Sequence, residues 1–182
     1  SGEDFHTVTA SRVFHVEPQE VTPEMRRRAK AVNFGIVYGI SAFSLAQDIG
    51  VSVAEAKAYM ERYFETYQGV RQYMTDVVAK AEQDGYVQTL MHRRRALPEL
   101  KSSNFNMREF GKRVALNMPV QGTAADIMKL AMVRVHHRLK REGLRARLLM
   151  QVHDELIVEC PASEREQVER LLTEEMEQAA QL

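Results

Sequence analysis

Helix starts and stops follow one another so closely in the first half of this chain that little except short helices can form there. Thr22 offers a hydroxyl cap, Pro23 suits the first helical position, and Gly39 closes the helix they open over about 23–38. Ser41 to Ile49 reads as a second short helix, ended by Gly50. Ser52 then caps "VAEAKAYMERYFETY", whose apolar residues recur at helical spacing, with Gly69 as its break. A further helix over about 70–83 stops at Gly85, and ahead of all these residues 4–16 form a short helix ending near Pro18. The aromatics Tyr59, Tyr63 and Phe64 read as core.

The second half changes character. In "YVQTLMHRRRALPEL" the run 86–91 reads as a strand, the arginines as a turn, and Ala96–Leu97 as a return before Pro98. Helix resumes over about 104–118, breaks near Pro119, and runs again over about 122–141. "RLLMQVHDELIVE", residues 147–159, is two apolar runs around a polar middle, which is a hairpin pattern. The chain closes on an amphipathic helix with Val168, Leu171, Leu172 and Met176 on its apolar side. No internal repeat or low-complexity linker interrupts the pattern. The class is therefore α+β, with a nearly all-helical subdomain over 1–100 and a mixed one over 101–182.

At 45% hydrophobic and 27% charged residues the chain has ordinary soluble, globular composition, and no apolar run is long enough to span a bilayer. No membrane partner is expected. The N-terminus shows neither the basic start nor the apolar stretch of a secretory signal. Cys160 is the sole cysteine, which rules out an internal disulfide and fits a reducing compartment. The formal net charge is zero, but it is unevenly spread. Residues 162–182 hold six glutamates against Arg165 and Arg170, so the remainder is left with a basic excess. The basic residues cluster at 26–30, at 92–95 and at 134–147. Such local fields are what a phosphate meets, although each cluster alone is equally a solvated helix face.

The segment "RRRAKAVNFGIVYG", residues 26–39, carries the most chemistry. At about 100° per residue, Met25, Ala29, Val32 and Ile36 fall on one stripe, the core face. Arg26, Lys30, Phe34 and Tyr38 fall on a second stripe roughly 150° away and about 18 Å long. Cations occupy its N-terminal end, where the helix dipole is already positive, and rings follow. A multiply charged anion docking there would explain the placement, and a nucleoside triphosphate has the same order of phosphates, sugar and flat base. The spacing alone leaves open a basic helix with two half-buried aromatics.

The string Arg-x3-Lys-x3-Phe-Gly-x2-Tyr-Gly resembles motif B of the A-family DNA polymerases of bacteria, a helix of the fingers subdomain that grips the incoming dNTP. The resemblance implies Arg26 and Lys30 on the triphosphate, with Lys30 also catalytic, Phe34 against the sugar and Tyr38 near the nascent base pair. It also implies that His6, in "GEDFHTVTA", reaches the phosphates. In the same family, Phe34 should favour deoxy over dideoxy substrates.

"QVHDE", residues 151–155, sits at the middle of the expected hairpin, and a tight turn would hold its carboxylates rigidly enough for a metal. An Asp-Glu turn is also a common solvated feature. "MQVHDELIVE" resembles motif C of the same family, in its palm subdomain. That implies Asp154 as the catalytic ligand of Mg²⁺, Glu155 in support of the site, and Gln151 and His153 against the primer–template. In "KRVALNMPVQGTAADI" the residues Arg113, Asn117 and Gln121 are spaced by four. Their donors suit the sequence-indifferent acceptors of the minor groove. On the residues alone this is a polar helix flank, and the family resemblance places it on primer–template DNA. HRRR, residues 92–95, reads either as a solvated turn or as a contact for backbone phosphates.

The resemblance covers the whole chain and implies fingers over 1–100 and partial palm over 101–182. The family's other catalytic aspartate, in a "DYSQIE"-like motif A, has no counterpart string here, and Asp4 is in the wrong context to replace it. The expectation is therefore a segment of a bacterial cytosolic polymerase, without its motif A, thumb and exonuclease regions. The second aspartate of a two-Mg²⁺ site would lie in the missing remainder, either a separate chain or removed, and the isolated chain would not polymerise. Two other readings stand beside this one: a single-subunit RNA polymerase and a non-catalytic nucleic-acid-binding module.

Overall fold

A computed structural model describes residues 4–181. Five helices open the chain: α1 (Phe5–Phe14), α2 (Pro23–Val37), α3 (Ala42–Ile49), α4 (Val53–Thr66) and α5 (Gln68–Asp84). Two short strands, β1 (Tyr86–Gln88) and β2 (Arg94–Ala96), pair with each other. The long helix α6 (Phe105–Arg141) precedes the hairpin β3 (Arg147–Val152) and β4 (Glu155–Glu159), and α7 (Arg165–Glu177) follows. The fold is α+β, as expected.

The expected caps are in place. The Thr22 hydroxyl accepts from the Met25 N–H at 3.2 Å, and Pro23 occupies the first turn of α2. Ser41 caps α3, and Gly50 ends it in the left-handed region. Ser52 and Glu55 form a reciprocal capping box at the start of α4.

Three expectations need correction. Gly69 does not end α4; the break is at Tyr67, and Gly69 lies in the first turn of α5. Tyr67 leaves helical geometry at φ −117° and ψ 62°, and its hydroxyl lies 3.4 Å from that of Thr9 in α1, so contact with α1 accompanies the break. The strand expected over 86–91 ends at Gln88, and Arg94 and Arg95 lie in β2, not in the turn. Helix α6 runs unbroken through Pro119. The proline removes one backbone donor, at a cost of about 3 kcal/mol. Long helical stretches packed on either side outweigh that loss.

The chain divides into two compact units. One comprises residues up to Val87 together with Arg94–Met118; the other comprises Gln88–Arg93 and everything from Pro119 on. In the first unit, Val13, Val32, Ile36, Leu45, Ile49, Tyr59 and Tyr63 join α1 to α4 in one core. A second cluster there gathers Ala81, Val87, Leu97, Leu100 and Ala115. In the second unit, Val135, Leu139, Ala146, Val168 and Leu171 form the core, with Leu156 and Val158 of β4 packed against it.

Within the second unit the 88–93 loop is tied to α6. Buried Thr89 donates to the Asp126 carboxylate at 2.7 Å, Arg93 pairs with the same carboxylate, and the Leu90 N–H donates to the Thr123 hydroxyl at 3.0 Å. The Thr89 hydroxyl first, and Arg93 after it, hold the Asp126 carboxyl below its ordinary range. A carboxyl depressed on folding stabilises the native state above its unfolded pKa and loses that contribution as pH falls through the native value. Denaturant midpoints should therefore drop as pH falls below about 4, the ordinary aspartate pKa, and Asp126→Asn should make that drop shallower. An unchanged acid slope in the variant would show that this tie does not report on folding.

Candidate functional site

Rotation of α2 is set by what it buries. Ala29, Val32 and Ile36 are each 2% exposed or less, and Met25 is half-buried. Arg26, Lys30, Phe34 and Tyr38 are all exposed, so the cation–aromatic row faces out of the core. Phe34 and Tyr38 keep about half their surface, at 49% and 48%. An aromatic left that open on a well-packed helix has a face available for another ring or a sugar.

The basic residues of α2 are not equivalent. Glu24 accepts from Arg27 at 2.8 and 2.7 Å and from Arg28 at 2.8 Å, and these bonds hold its carboxyl far below the ordinary value. Arg28 also donates to the Tyr59 hydroxyl at 3.0 Å. Those two arginines are thereby neutralised locally. Arg26 makes a bidentate pair with Asp4, at 2.7 and 3.0 Å. Arg26 and then the Thr7 hydroxyl keep Asp4 ionised well below the usual carboxylate range. Among the described residues Lys30 has no carboxylate partner, and its ammonium lies 5.9 Å from the Phe34 ring centre. The His6 ring lies 5.6 Å from the same ring, on its other neighbour α1. The structure therefore gathers His6, Arg26, Lys30 and Phe34 on one surface, with Tyr38 at the C-cap of α2.

Both glycines of the motif have steric reasons. A Cβ on Gly35 would fall 2.6 Å from Ile40 Cγ2, so the last turn of α2 can pack on Ile40 only without a side chain there. Gly39 has φ +67°, and a Cβ there would lie 3.2 Å from Arg113 Cγ and from Leu116 Cδ1. The end of the exposed row therefore meets the first part of α6 at Arg113.

Along α6, Arg113 and Gln121 are exposed and Asn117 is half-buried. Their spacing of four runs along an uninterrupted helix, since Pro119 does not break it. The Asn117 carbonyl oxygen is buried without a hydrogen-bond partner.

In the second unit, β3 and β4 are joined by a two-residue turn, His153–Asp154, with Val152 paired to Glu155. His153 has φ +52°, unusual for a residue with a side chain. The Gln151 amide donates to the His153 carbonyl at 2.7 Å and ties the turn. Gln151, His153, Asp154 and Glu155 are all exposed. Asp154 and Glu155 offer the hard oxygen ligands that Mg²⁺ takes. Among the described residues no group of three or more His, Cys, Asp or Glu side chains is placed to hold a metal ion together. The turn residues fit Mg²⁺ in donor type and supply it incompletely.

Sequence reasoning missed Asp4 as the partner of Arg26, Glu24 as the counter-ion of Arg27 and Arg28, and Asn33. Asn33 is 6% exposed and bonds to His6 and Thr9. An amide beside the core stripe of an amphipathic helix was the available signal, because a buried polar group needs a partner.

A family model, DNA polymerase family A, matches residues 1–182, and the chain belongs to that family. Its relatives there are bacterial DNA polymerases I. That of Bacillus caldotenax is 58% identical over 179 residues, 98% of this chain and 20% of the relative. That of Bacillus subtilis (strain 168) gives the same identity and coverage. The POL domain of Pol1 from M. smegmatis, in complex with DNA primer-template and dNTP, matches at 52% identity with a TM-score of 0.93, over 100% of this chain and 32% of that one. The chain thus spans about a fifth of the length of the curated relatives it matches. No helix among the described residues is long and apolar enough to cross a membrane.

Gly39→Ala should cost about 1–2 kcal/mol from the left-handed backbone alone. A fall in melting temperature should register it, and an unchanged value would mean that the turn after α2 rearranges freely.

Proposed function

We propose that this chain is the nucleotide-gripping and primer-contacting part of a template-directed DNA polymerase that transfers a nucleotide from a dNTP to a primer 3′-OH and releases pyrophosphate. The observation that carries the reading is the outward row on α2, with His6 beside it, in a chain of the A family. The first unit would serve as fingers and the second as part of the palm. The relatives that match are DNA polymerases, which favours deoxynucleotide chemistry over an RNA polymerase. The setting would be the bacterial cytosol, with primer–template DNA, dNTP and the rest of the polymerase as partners.

Each residue then has a task. Arg26 and Lys30 hold the β- and γ-phosphates, where backbone N–H groups and the dipole of α2 add to their charge. As the bond to the α-phosphate breaks, negative charge grows on the departing pyrophosphate, and Lys30 is placed to stabilise it. His6 donates to a phosphate oxygen. Phe34 bears on the sugar, and Tyr38 closes over the base pair. Arg113, Asn117 and Gln121 hold the duplex through minor-groove acceptors, while Gln151 and His153 meet the primer end. Asp154, supported by Glu155, would hold Mg²⁺, with a second carboxylate supplied from elsewhere in the full-length protein. When bound, Mg²⁺ supplies charge on the phosphate oxygens and acidifies the attacking hydroxyl.

Lys30→Ala in the complete polymerase should remove a charge-assisted phosphate contact worth roughly 1.5–3 kcal/mol. Single-nucleotide incorporation should weaken accordingly, with primer–template affinity unchanged. A loss of DNA affinity with normal nucleotide use would refute the assignment. Phe34→Tyr should narrow the preference for deoxy over dideoxy substrates, measured as a ratio of kcat/KM values. An unchanged ratio would remove the sugar contact.

A further inference from the structure

We propose that Asn33 is a positioning residue that fixes which nitrogen of His6 faces the nucleotide; this rests on the reading above that His6 meets the triphosphate. Asn33 sits in α2 one residue before Phe34, and the turn of the helix sends it inward toward α1 while Phe34 faces out. It is 6% exposed. Its side-chain N–H₂ donates to Nδ1 of His6 at 3.1 Å and to the hydroxyl of Thr9 at 3.2 Å. Thr9 is fully buried, and its hydroxyl lies 3.4 Å from that of Tyr67. The Asn33 carbonyl oxygen is buried without a partner.

An amide has two N–H donors and one acceptor oxygen. Here both donors are used, and the acceptor is the group left over. Thr9 accepts from Asn33, and its hydroxyl lies within reach of that of Tyr67, so the Asn33 amide is linked through α1 to the break between α4 and α5. A nitrogen that accepts from Asn33 carries no proton. In the neutral imidazole, Nδ1 of His6 is therefore the acceptor and Nε2 carries the N–H. That N–H is the donor a phosphate oxygen needs. The ring is held on a second side by Phe34, so its tilt and its tautomer are fixed by consecutive residues of one helix. An unpartnered buried oxygen is a stability cost, and a constraint on His6 gives it a purpose.

The test is single-nucleotide incorporation by the complete polymerase carrying His6→Ala, Asn33→Leu or both, with nitrogen-15 NMR of labelled histidine to read the tautomer. His6→Ala should raise the KM for dNTP while leaving primer–template affinity unchanged. Asn33→Leu should raise the same KM by about 3- to 10-fold, the range of one net hydrogen bond, and add less than about 2-fold when His6 is already alanine. The His6 signal should be that of the Nε2–H form in the parent and a mixture in Asn33→Leu. Thr9→Val is the second variant, should Asn33→Leu fail to fold; it removes one acceptor of the amide and should show the same dependence on His6. If His6→Ala leaves the KM alone, the nucleotide reading of His6 falls and takes the positioning role with it. If His6→Ala acts but the Asn33 and Thr9 variants are additive with it, or the parent ring is the Nδ1–H form, the positioning role alone is overturned.

Discussion

The rotation of α2 about its own axis governs everything this chain offers a ligand. Ala29, Val32 and Ile36 are locked into the core made with α1, α3 and α4, and that locking aims Arg26, Lys30 and Phe34 outward. Turning the helix by one residue, about 100°, would bury cations and expose the core stripe. Burial of a cation without a partner costs several kcal/mol, and each core side chain exposed loses about another 1.5–3. The outward row is thus maintained by apolar packing behind it.

That packing does not decide which cations remain available to an incoming anion. Local carboxylates do. Glu24 sits in the first turn, where its charge also suits the helix dipole, and takes up Arg27 and Arg28. Asp4 caps α1 through Thr7 and pairs with Arg26 as well, joining the start of α1 to the start of α2. The pair is exposed, so its attraction is modest and screened. A triphosphate, with more charge and three phosphate groups' oxygens, competes with one carboxylate on favourable terms. Lys30, one turn further on, faces no such competitor among the described residues.

The helix boundaries were legible in the sequence, because caps and periodicity are local. Thr22, Ser41, Ser52, Gly39, Gly50 and Gly85 mark boundaries through their own backbones and side chains, and those boundaries hold. What was hidden depends on contacts distant in sequence. Tyr67 sits at a helix end with Thr9 and Arg12 of α1 against it, and no composition rule marks a tyrosine as a stop. Pro119 is a breaker by local rules, yet α6 continues because its flanks are packed into cores on either side. The partners of Asp4 and Asn33 were hidden for the same reason: Arg26 and His6 lie 22 and 27 residues away.

The hairpin carries a subtler constraint. Leu148 pairs with Val158, but Met150 pairs with Ile157, so Leu149 is an extra residue bulged out of the ladder. Strict alternation from Leu148 would turn Met150 and Val152 toward the core side and Gln151 away from it. The bulge reverses this: Gln151 now lies opposite Leu156, and Met150 and Val152 share the outer face with Ile157. Those three side chains are left 54%, 39% and 41% exposed. Maximal burial within this chain would have favoured the other register, so burial here did not choose it. A bulge bends a strand and re-aims the residues beyond it. The residues beyond Leu149 are Gln151, His153 and Asp154, and His153 is held at positive φ with Gln151 bonded back across it. The extra residue therefore acts on the direction of the turn, and apolar area is left open beside it.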